Sequence, residues 1–345
     1  MEKIKFMNPK ISVIIPCYNL GEKIKPCLNS VINQSFKDIE IIVVNDGSTD
    51  NSLQIIKKFK DDRIVIVNKE NGGLPSARKA GYKVAKGEYI SHIDGDDEVL
   101  PNFLESLYRG ASENNADLVL CDAIFIRDGI ESIHKDSLQS GVVDKKKYLD
   151  DILNARYDRV LTSVVNKLYK KTLHDKVEFP VDIRFYAEDR CIIPKIAFFA
   201  EKIYKVNETF YRYYLNRKQM TFLKLKDNFI VNESLRNFFT KQGLNDAKKI
   251  FCKDSMRVVF HYFFISTPFD KNDIKQTLKE YKSKICEITK SDEFKDCSLE
   301  KYKKFMLSIL IRLPNSVILS ICAVSKTLAK FAIFARNLFL RIKKS

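Results

Sequence analysis

Several signals are missing from this chain. Its eight cysteines (Cys17, Cys27, Cys121, Cys191, Cys252, Cys286, Cys297 and Cys322) form no Cys-x-x-Cys pair, and no histidine joins them at zinc-ligand spacing. A zinc-knuckle or dithiol protein is therefore excluded, and free buried thiols in a reduced cytosolic setting are expected. Met1 to Met7 is charged and leads straight into an apolar strand, so no secretory signal is read there. There is no internal repeat and no low-complexity linker. Residues 301–345 carry ten Lys and Arg residues and no acid, which accounts for ten of the sixteen net positive charges. A spanning helix needs roughly twenty charge-free apolar residues, and Pro314, Asn315, Lys326 and Lys330 interrupt the apolar runs of that segment.

What is present is a strand-helix alternation in the first hundred residues. Apolar runs at Lys10–Pro16, Ile39–Val44, Arg63–Val67 and Tyr89–Ile93 read as four short strands. Ile24, Leu28, Val31 and Ile32 recur at helical spacing between them, as do Leu53, Ile56 and Phe59. Near-continuous apolar strands separated by helices predict an α/β fold with a parallel sheet covered by helices on both faces. Each strand runs into small polar residues, and those ends should line one edge of the sheet, where open α/β sheets bind ligands.

The fourth strand runs into Asp94-Gly95-Asp96-Asp97. Asp94 and Asp96 lie two apart and would share a face of a continuing strand. Gly95 permits a tight bend and close approach of a ligand. Carboxylates this dense repel one another, and a hard cation with oxygen ligands, Mn²⁺ or Mg²⁺, would relieve that while bringing phosphate oxygens with it. The plainer reading is a solvated acidic turn before the helix that starts near Pro101.

Four segments together carry a resemblance: Val13-Ile-Ile-Pro-Cys-Tyr-Asn19, Val43-Val-Asn-Asp-Gly-Ser-Thr-Asp50, Asn71-Gly-Gly-Leu-Pro-Ser-Ala-Arg78 and Ile93-Asp-Gly-Asp-Asp97. In order and spacing they resemble a family 2 glycosyltransferase of the GT-A fold, bacterial surface-polysaccharide type. The resemblance implies inverting sugar transfer from a nucleotide-sugar donor to an acceptor hydroxyl. Pro16, Tyr18 and Asn19 would then face base and ribose. Asp46 would accept the N–H of a uracil-like base, which favours UDP over GDP or dTDP. Asn45 stands where relatives often carry a second acid. Asn71, Gly72 and Gly73 would let backbone approach the donor, and Arg78, one turn into a helix that Pro75 opens, would turn a cation toward the nucleotide. Asp96 would contact the metal, Asp94 the ribose or the metal through water, and Asp97 would cap the following segment.

Phe185-Tyr-Ala-Glu-Asp-Arg-Cys-Ile-Ile193 resembles the family's second-half motif. The resemblance makes Asp189 the base that deprotonates the acceptor, with Glu188 binding the acceptor or orienting the site. A plain acid pair at a helix start is the alternative. Val165-Asn-Lys-Leu-Tyr169 matches a segment beside the acceptor pocket. Tyr211 to Thr221 matches an aromatic strand and cationic loop, in which Arg217 would contact phosphate.

The expected organisation is a catalytic domain over residues 1–222 (nucleotide-binding half 1–100, acceptor half 101–222), a helical region over 223–300, and a basic amphipathic tail over 301–345. Phe238, Phe239, Phe251, Val258, Val259, Tyr262 and Phe263 read as packed helix faces, and Phe269 to Ser298 as solvated helix and loop. In the tail Lys326, Lys330, Asn337, Arg341 and Lys344 fall on one helical face, predicting contact with an anionic membrane surface at the inner face of the cell membrane. Packing of the tail on the protein is the alternative. The expected partners are a nucleotide-sugar donor, a glycan or lipid-linked acceptor and, as a possibility, further copies of the chain. Two other functions share parts of this pattern. A nucleotidyltransferase would show a Gly-rich basic loop after the first strand, where this chain has Pro16-Cys17-Tyr18-Asn19. A nucleic-acid binder should present a polar basic face with exposed aromatics, whereas this charge sits in an apolar tail; no nucleic-acid partner is expected.

Overall fold

Strand β1 (Ile11–Cys17) is buried along its whole length, as is β2 (Ile39–Asp46), because both lie inside the sheet with neighbours on either side. In the computed structural model, residues 8–154, 159–177, 188–215, 225–244, 247–260, 262–263 and 271–296 are described, with scattered positions between 303 and 322. The remaining strands are β3 (Ile64–Lys69), β4 (Tyr89–His92), β5 (Glu98–Val99), β6 (Leu118–Arg127), β7 (Ile130–His134), β8 (Gly141–Val143), β9 (Lys167–Lys170) and β10 (Ile203–Tyr214). Among the described residues they form one sheet of order β3-β2-β1-β4-β9-β6-β10-β5, with β7 on β6 and β8 on β10.

The flanking helices are α1 (Ile24–Ile32), α2 (Ser52–Ile56), α3 (Leu74–Val84), α4 (Phe103–Asn114), α5 (Lys145–Asn154), α6 (Arg159–Thr162), α7 (Lys171–His174) and α8 (Glu188–Phe199). In α1 the buried residues are Ile24, Cys27, Leu28 and Val31, the i, i+3, i+4, i+7 stripe of an amphipathic helix. Helix α3 lies so close to the sheet that a Cβ on Gly81 would meet Ile14 Cγ2 at 2.5 Å. Helix α2 is shorter than the spacing predicts: it ends at Ile56, and Phe59 packs on the core from the turn that follows.

The parallel sheet expected from the sequence holds for β3-β2-β1-β4. Beyond β4 the sheet is mixed, since β9 runs antiparallel to both β4 and β6. Asn166, the residue before β9, fixes where that strand enters the sheet. Its Nδ2 donates to the carbonyls of Cys121 and Val160, anchoring the incoming chain beside the middle of β6.

The chain divides into two compact units, Met1–Met220 and Thr221–Ser345. The second is helical: α9 (Leu225–Lys241), α10 (Ala247–Phe260), α11 (Lys271–Lys290) and α12 (Asp292–Asp296). Phe239, Phe251, Val258, Val259, Tyr262 and Phe263 are buried. The solvated reading of residues 269–298 needs correction, because Leu278, Ile285 and Phe294 enter this unit's core. So do Leu307, Ile318 and Cys322, which places part of the apolar tail inside protein. Lys326, Lys330, Asn337, Arg341 and Lys344 lie outside the described residues. No described helix is long and apolar enough to cross a membrane.

Candidate active site

The C-terminal ends of β1, β2 and β3 meet on one edge of the sheet. Cys17 pairs with Asn45 and Asp46 with Lys69 in the strand register. Asp46 is buried and heavily engaged. It accepts hydrogen bonds from Gly73 N at 2.8 Å, Gly72 N at 3.1 Å and Lys69 Nζ at 2.5 Å, while Asn71 Nδ2 donates to its carbonyl at 2.9 Å. The Asn71-Gly72-Gly73 loop is thereby folded over the end of β2. Gly47 makes this possible: its φ is +71°, and a Cβ there would lie 2.6 Å from Asn71 N. Gly73, at φ +84°, then turns the chain into α3, with Pro75 in its first turn.

Tyr18 is 49% exposed after β1. Asn19 sits in the left-handed region, and its Oδ1 accepts from Thr49 N at 2.8 Å, holding the turn that follows β2. Pro16 is buried, and its carbonyl backs onto Gly95, where a Cβ would lie 2.7 Å from it. This corrects one expectation. The lack of a side chain at Gly95 accommodates the chain's own Pro16, Leu20 and Ile24.

Arg78 joins the two halves of the site. It is 2% exposed; Nη2 donates to Asp94 Oδ1 at 2.7 Å and Nε to Glu188 Oε1 at 3.1 Å. Its Nη1 is buried with no hydrogen-bond partner. Burial opposes its charge, but Asp94, Glu188 and Asp189 outweigh it and hold the guanidinium protonated. The nearby His92 is neutral: burial, with Arg78 beside it, pushes it well below the ordinary imidazole range. Its Nε2 lies 2.9 Å from Tyr169 Oη.

Asp97 departs from the expected capping role. Its Oδ2 accepts from Tyr211 Oη at 2.7 Å and its Oδ1 from Tyr214 N at 2.8 Å. The same Tyr211 hydroxyl accepts from Asp94 N at 3.1 Å. Strand β10 thus pins the acidic turn from behind. Burial, then Asp94 and Asp96, push the Asp97 carboxyl well above the usual range. Asp94 and Asp96 are half-buried.

A model of glycosyl transferase family 2 matches residues 12–177. The Bacillus subtilis glycosyltransferase EpsJ is 32% identical over 264 residues, covering 73% of this chain and 75% of EpsJ. The Streptococcus pneumoniae glycosyltransferase GlyA is 33% identical over 223 residues, 62% of this chain but only 32% of GlyA, so the chain spans about a third of that relative. The crystal structure of S. aureus TarS 1–349 in complex with UDP-GlcNAc superposes with a TM-score of 0.67 at 20% identity, over 91% of this chain and 90% of that one. The chain belongs to glycosyl transferase family 2.

In this family 2 glycosyltransferase Glu188 and Asp189 open α8, as the sequence pattern predicts. Burial, then Asp189, raise the Glu188 carboxyl to about 7, against the pull of Arg78. Burial also raises Asp189, whose Oδ1 accepts from Arg190 N at 2.7 Å. Arg217 lies outside the described residues. In Val165–Tyr169, Lys167 Nζ is buried among the carbonyls of Val160 and Ser163, so that residue anchors its own loop. Sequence reasoning missed Lys69 and the bracing role of Tyr211. Lys69 was within reach, since two neighbouring parallel strands that end together place their last residues side by side.

The donor set suits a hard cation. Asp94 and Asp96 offer carboxylate oxygens only. Among the described residues no three His, Cys, Asp or Glu side chains close into a metal cage, so a bound Mn²⁺ or Mg²⁺ would complete its shell with water and phosphate oxygens, as such ions commonly do.

Proposed function

We propose that this glycosyltransferase transfers a sugar from a UDP-sugar to an acceptor hydroxyl with inversion, dependent on Mn²⁺ or Mg²⁺. The observation that carries the reading is the Arg78 bridge. One buried guanidinium holds both Asp94, at the donor edge of the sheet, and Glu188, beside the candidate base. Asp46, Tyr18, Asn19, Asn71 and Gly73 would surround the nucleotide, and Arg217, outside the described residues, would contact phosphate. Asp96, with Asp94, would hold the divalent ion, which when bound supplies charge neutralisation for the departing diphosphate. The leaving group then needs no acid from the protein. Asp189 takes the acceptor proton, the acceptor oxygen bonds to the anomeric carbon, and the bond from that carbon to the diphosphate oxygen breaks on the opposite face, giving inversion. A carboxyl raised by burial is the better proton acceptor near neutrality. The TarS complex with UDP-GlcNAc supports a UDP-sugar donor.

A glycan or lipid-linked acceptor for a surface polysaccharide fits relatives such as the S. aureus poly(ribitol-phosphate) β-N-acetylglucosaminyltransferase TarP. With a lipid-borne acceptor the enzyme works at the inner face of the membrane. The basic residues of 301–345 would then provide attraction to anionic lipid, and self-association of the chain is compatible with this placement. The test is a thermal-shift panel of UDP, GDP, CDP and dTDP with and without Mn²⁺, since a ligand that binds only the folded state raises its stability. A shift with UDP that requires Mn²⁺ and is lost in Asp96→Ala is expected. No shift with UDP, or an Asp96→Ala protein with the full Mn²⁺-dependent shift, would overturn it.

A further inference from the structure

The helical unit contains a cavity that the transfer chemistry leaves unused. Its volume is about 590 Å³, within the range of about 300–1,000 Å³ typical of small-molecule sites. The floor is buried and formed by Phe229 of α9 with Phe251 and Ser255 of α10. The rim is exposed and of mixed charge, with Glu233 and Arg236 from α9 and Glu287 from α11. Between floor and rim stands Asn232, 2% exposed. Its Nδ2 donates to Ser255 Oγ at 3.0 Å. Its Oδ1 is buried and has no hydrogen-bond partner, and buried polar groups of that kind are seldom left unmatched.

This combination selects among ligands. A hydrocarbon chain would cover the phenylalanines but strand the Asn232 carbonyl oxygen, at a desolvation cost. A phosphate would meet Arg236, Lys241, Lys248 and Lys284 as well as the carboxylates of Glu233, Glu287 and Glu293, but a fully ionised phosphate has no hydrogen to donate to Asn232 Oδ1. A sugar ring presents an apolar C–H face and a ring of hydroxyls. The face can pack beside Phe229 and Phe251, whose rings also meet Lys284 Nζ and Phe239. The hydroxyls can donate to Asn232 Oδ1, Glu233 and Glu287 and accept from Arg236. We propose that the cavity is a second saccharide-binding site, taking uncharged sugar units of an oligosaccharide. Where the acceptor is a glycan, which rests on the function proposed above, this site retains the chain already made; binding itself does not depend on that reading.

Saturation-transfer NMR on the full chain, with maltotriose, cellotriose and N,N′,N″-triacetylchitotriose as probes and lysophosphatidylglycerol as an anionic amphiphile, tests it. Two variants report on the cavity. Asn232→Leu removes the buried acceptor, and Arg236→Ala/Glu287→Gln changes only exposed rim residues, so it reads the site even where the first variant fails to fold. At least one trisaccharide is expected to bind the unaltered protein, and to bind the folded variants at least tenfold more weakly, while their UDP thermal shift is unchanged. Absence of trisaccharide binding, equal binding by the rim variant, or variant-sensitive binding of the lysolipid alone would overturn the proposal. A missing UDP shift in the unaltered protein bears on the donor reading and leaves this readout intact.

Discussion

Arg78 Nε donates to Glu188 Oε1 across 110 residues of sequence, while the same guanidinium holds Asp94. In the proposed reaction a metal-bound donor and a basic carboxylate meet one acceptor hydroxyl, so the two have to be fixed against each other, and productive geometry tolerates little error. Arginine suits the task because its donors form a rigid fork. Arg78→Ala would leave Glu188 buried without its partner, and such losses cost about 3–5 kcal/mol. Arg78→Lys keeps the charge but not the fork. The alanine variant is expected to melt markedly lower than the unaltered protein and the lysine variant to fall between them. Unfolding curves superposable on those of the unaltered protein would show that the bridge is incidental.

The raised Glu188 carboxyl has a consequence for stability. It titrates near 7 in the folded protein, above its ordinary value of about 4.3, so the native state binds that proton more tightly than the unfolded state. Stability contributed by the protonated group is therefore present below about pH 4 and is lost as pH rises toward 7. Asp97 and Asp189 are shifted in the same direction, and Asp189 itself raises Glu188, so comparison with a variant reads Glu188 together with its repulsion by Asp189. Urea denaturation of Glu188→Gln between pH 4.5 and 7.5 should show a shallower decline than the unaltered protein. An identical slope would place the proton elsewhere.

Asp189→Asn keeps the size of the side chain and its place at the start of α8 but removes its basicity. General-base catalysis contributes about 10²–10⁴-fold, so transfer should fall by that factor while the UDP thermal shift with Mn²⁺ persists. Turnover near that of the unaltered enzyme would exclude Asp189 as the base.

Strands β1, β2 and β4 were legible because they are buried on both sides, so their runs are mostly apolar despite Ser12, Glu40, Ser91 and His92. The edge strand β3 is less buried, with the adjacent Val65 and Ile66 both exposed, and its run was still long enough to recognise. The direction of β9 was not legible, since Lys-Leu-Tyr-Lys fits either orientation. The short motifs located Asp46, Arg78, Asp94 and Asp189 on the right element ends. Their partners came from distant segments that no local pattern ties to them, as with Glu188 for Arg78 and Tyr211 for Asp97. In α11 the buried Leu278 and Ile285 lie seven apart at helical spacing, but the density of Lys and Glu around them hid the stripe.

Tyr211 is buried completely, and its hydroxyl both donates to Asp97 and accepts from Asp94 N. Tyr211→Phe leaves two buried polar groups without a partner while the ring still packs. Each such group costs roughly 1–3 kcal/mol. The variant should lose stability of that order and bind UDP with Mn²⁺ more weakly, because the turn bearing Asp94 and Asp96 loses its brace. Unchanged melting and UDP affinity would show that the turn is held by its backbone alone.

Gly95→Ala tests the same turn from its other side. A methyl group there would lie 2.6 Å from Leu20 Cδ1 and 2.7 Å from the Pro16 carbonyl oxygen. Leu20 is a side chain and can rotate. The carbonyl belongs to β1, which is locked between β2 and β4, and cannot. The turn must therefore move away from the end of β1, and Asp94 and Asp96 move with it. Crowding of this kind costs typically 1–3 kcal/mol. Donor binding should suffer beyond that stability loss, since both candidate metal ligands shift relative to Arg78 and Asp46. Isothermal titration of UDP in Mn²⁺ is expected to show at least tenfold weaker binding at a temperature where the variant is fully folded. Affinity equal to that of the unaltered protein would mean that the metal and nucleotide contacts do not depend on the packing of this turn against Pro16.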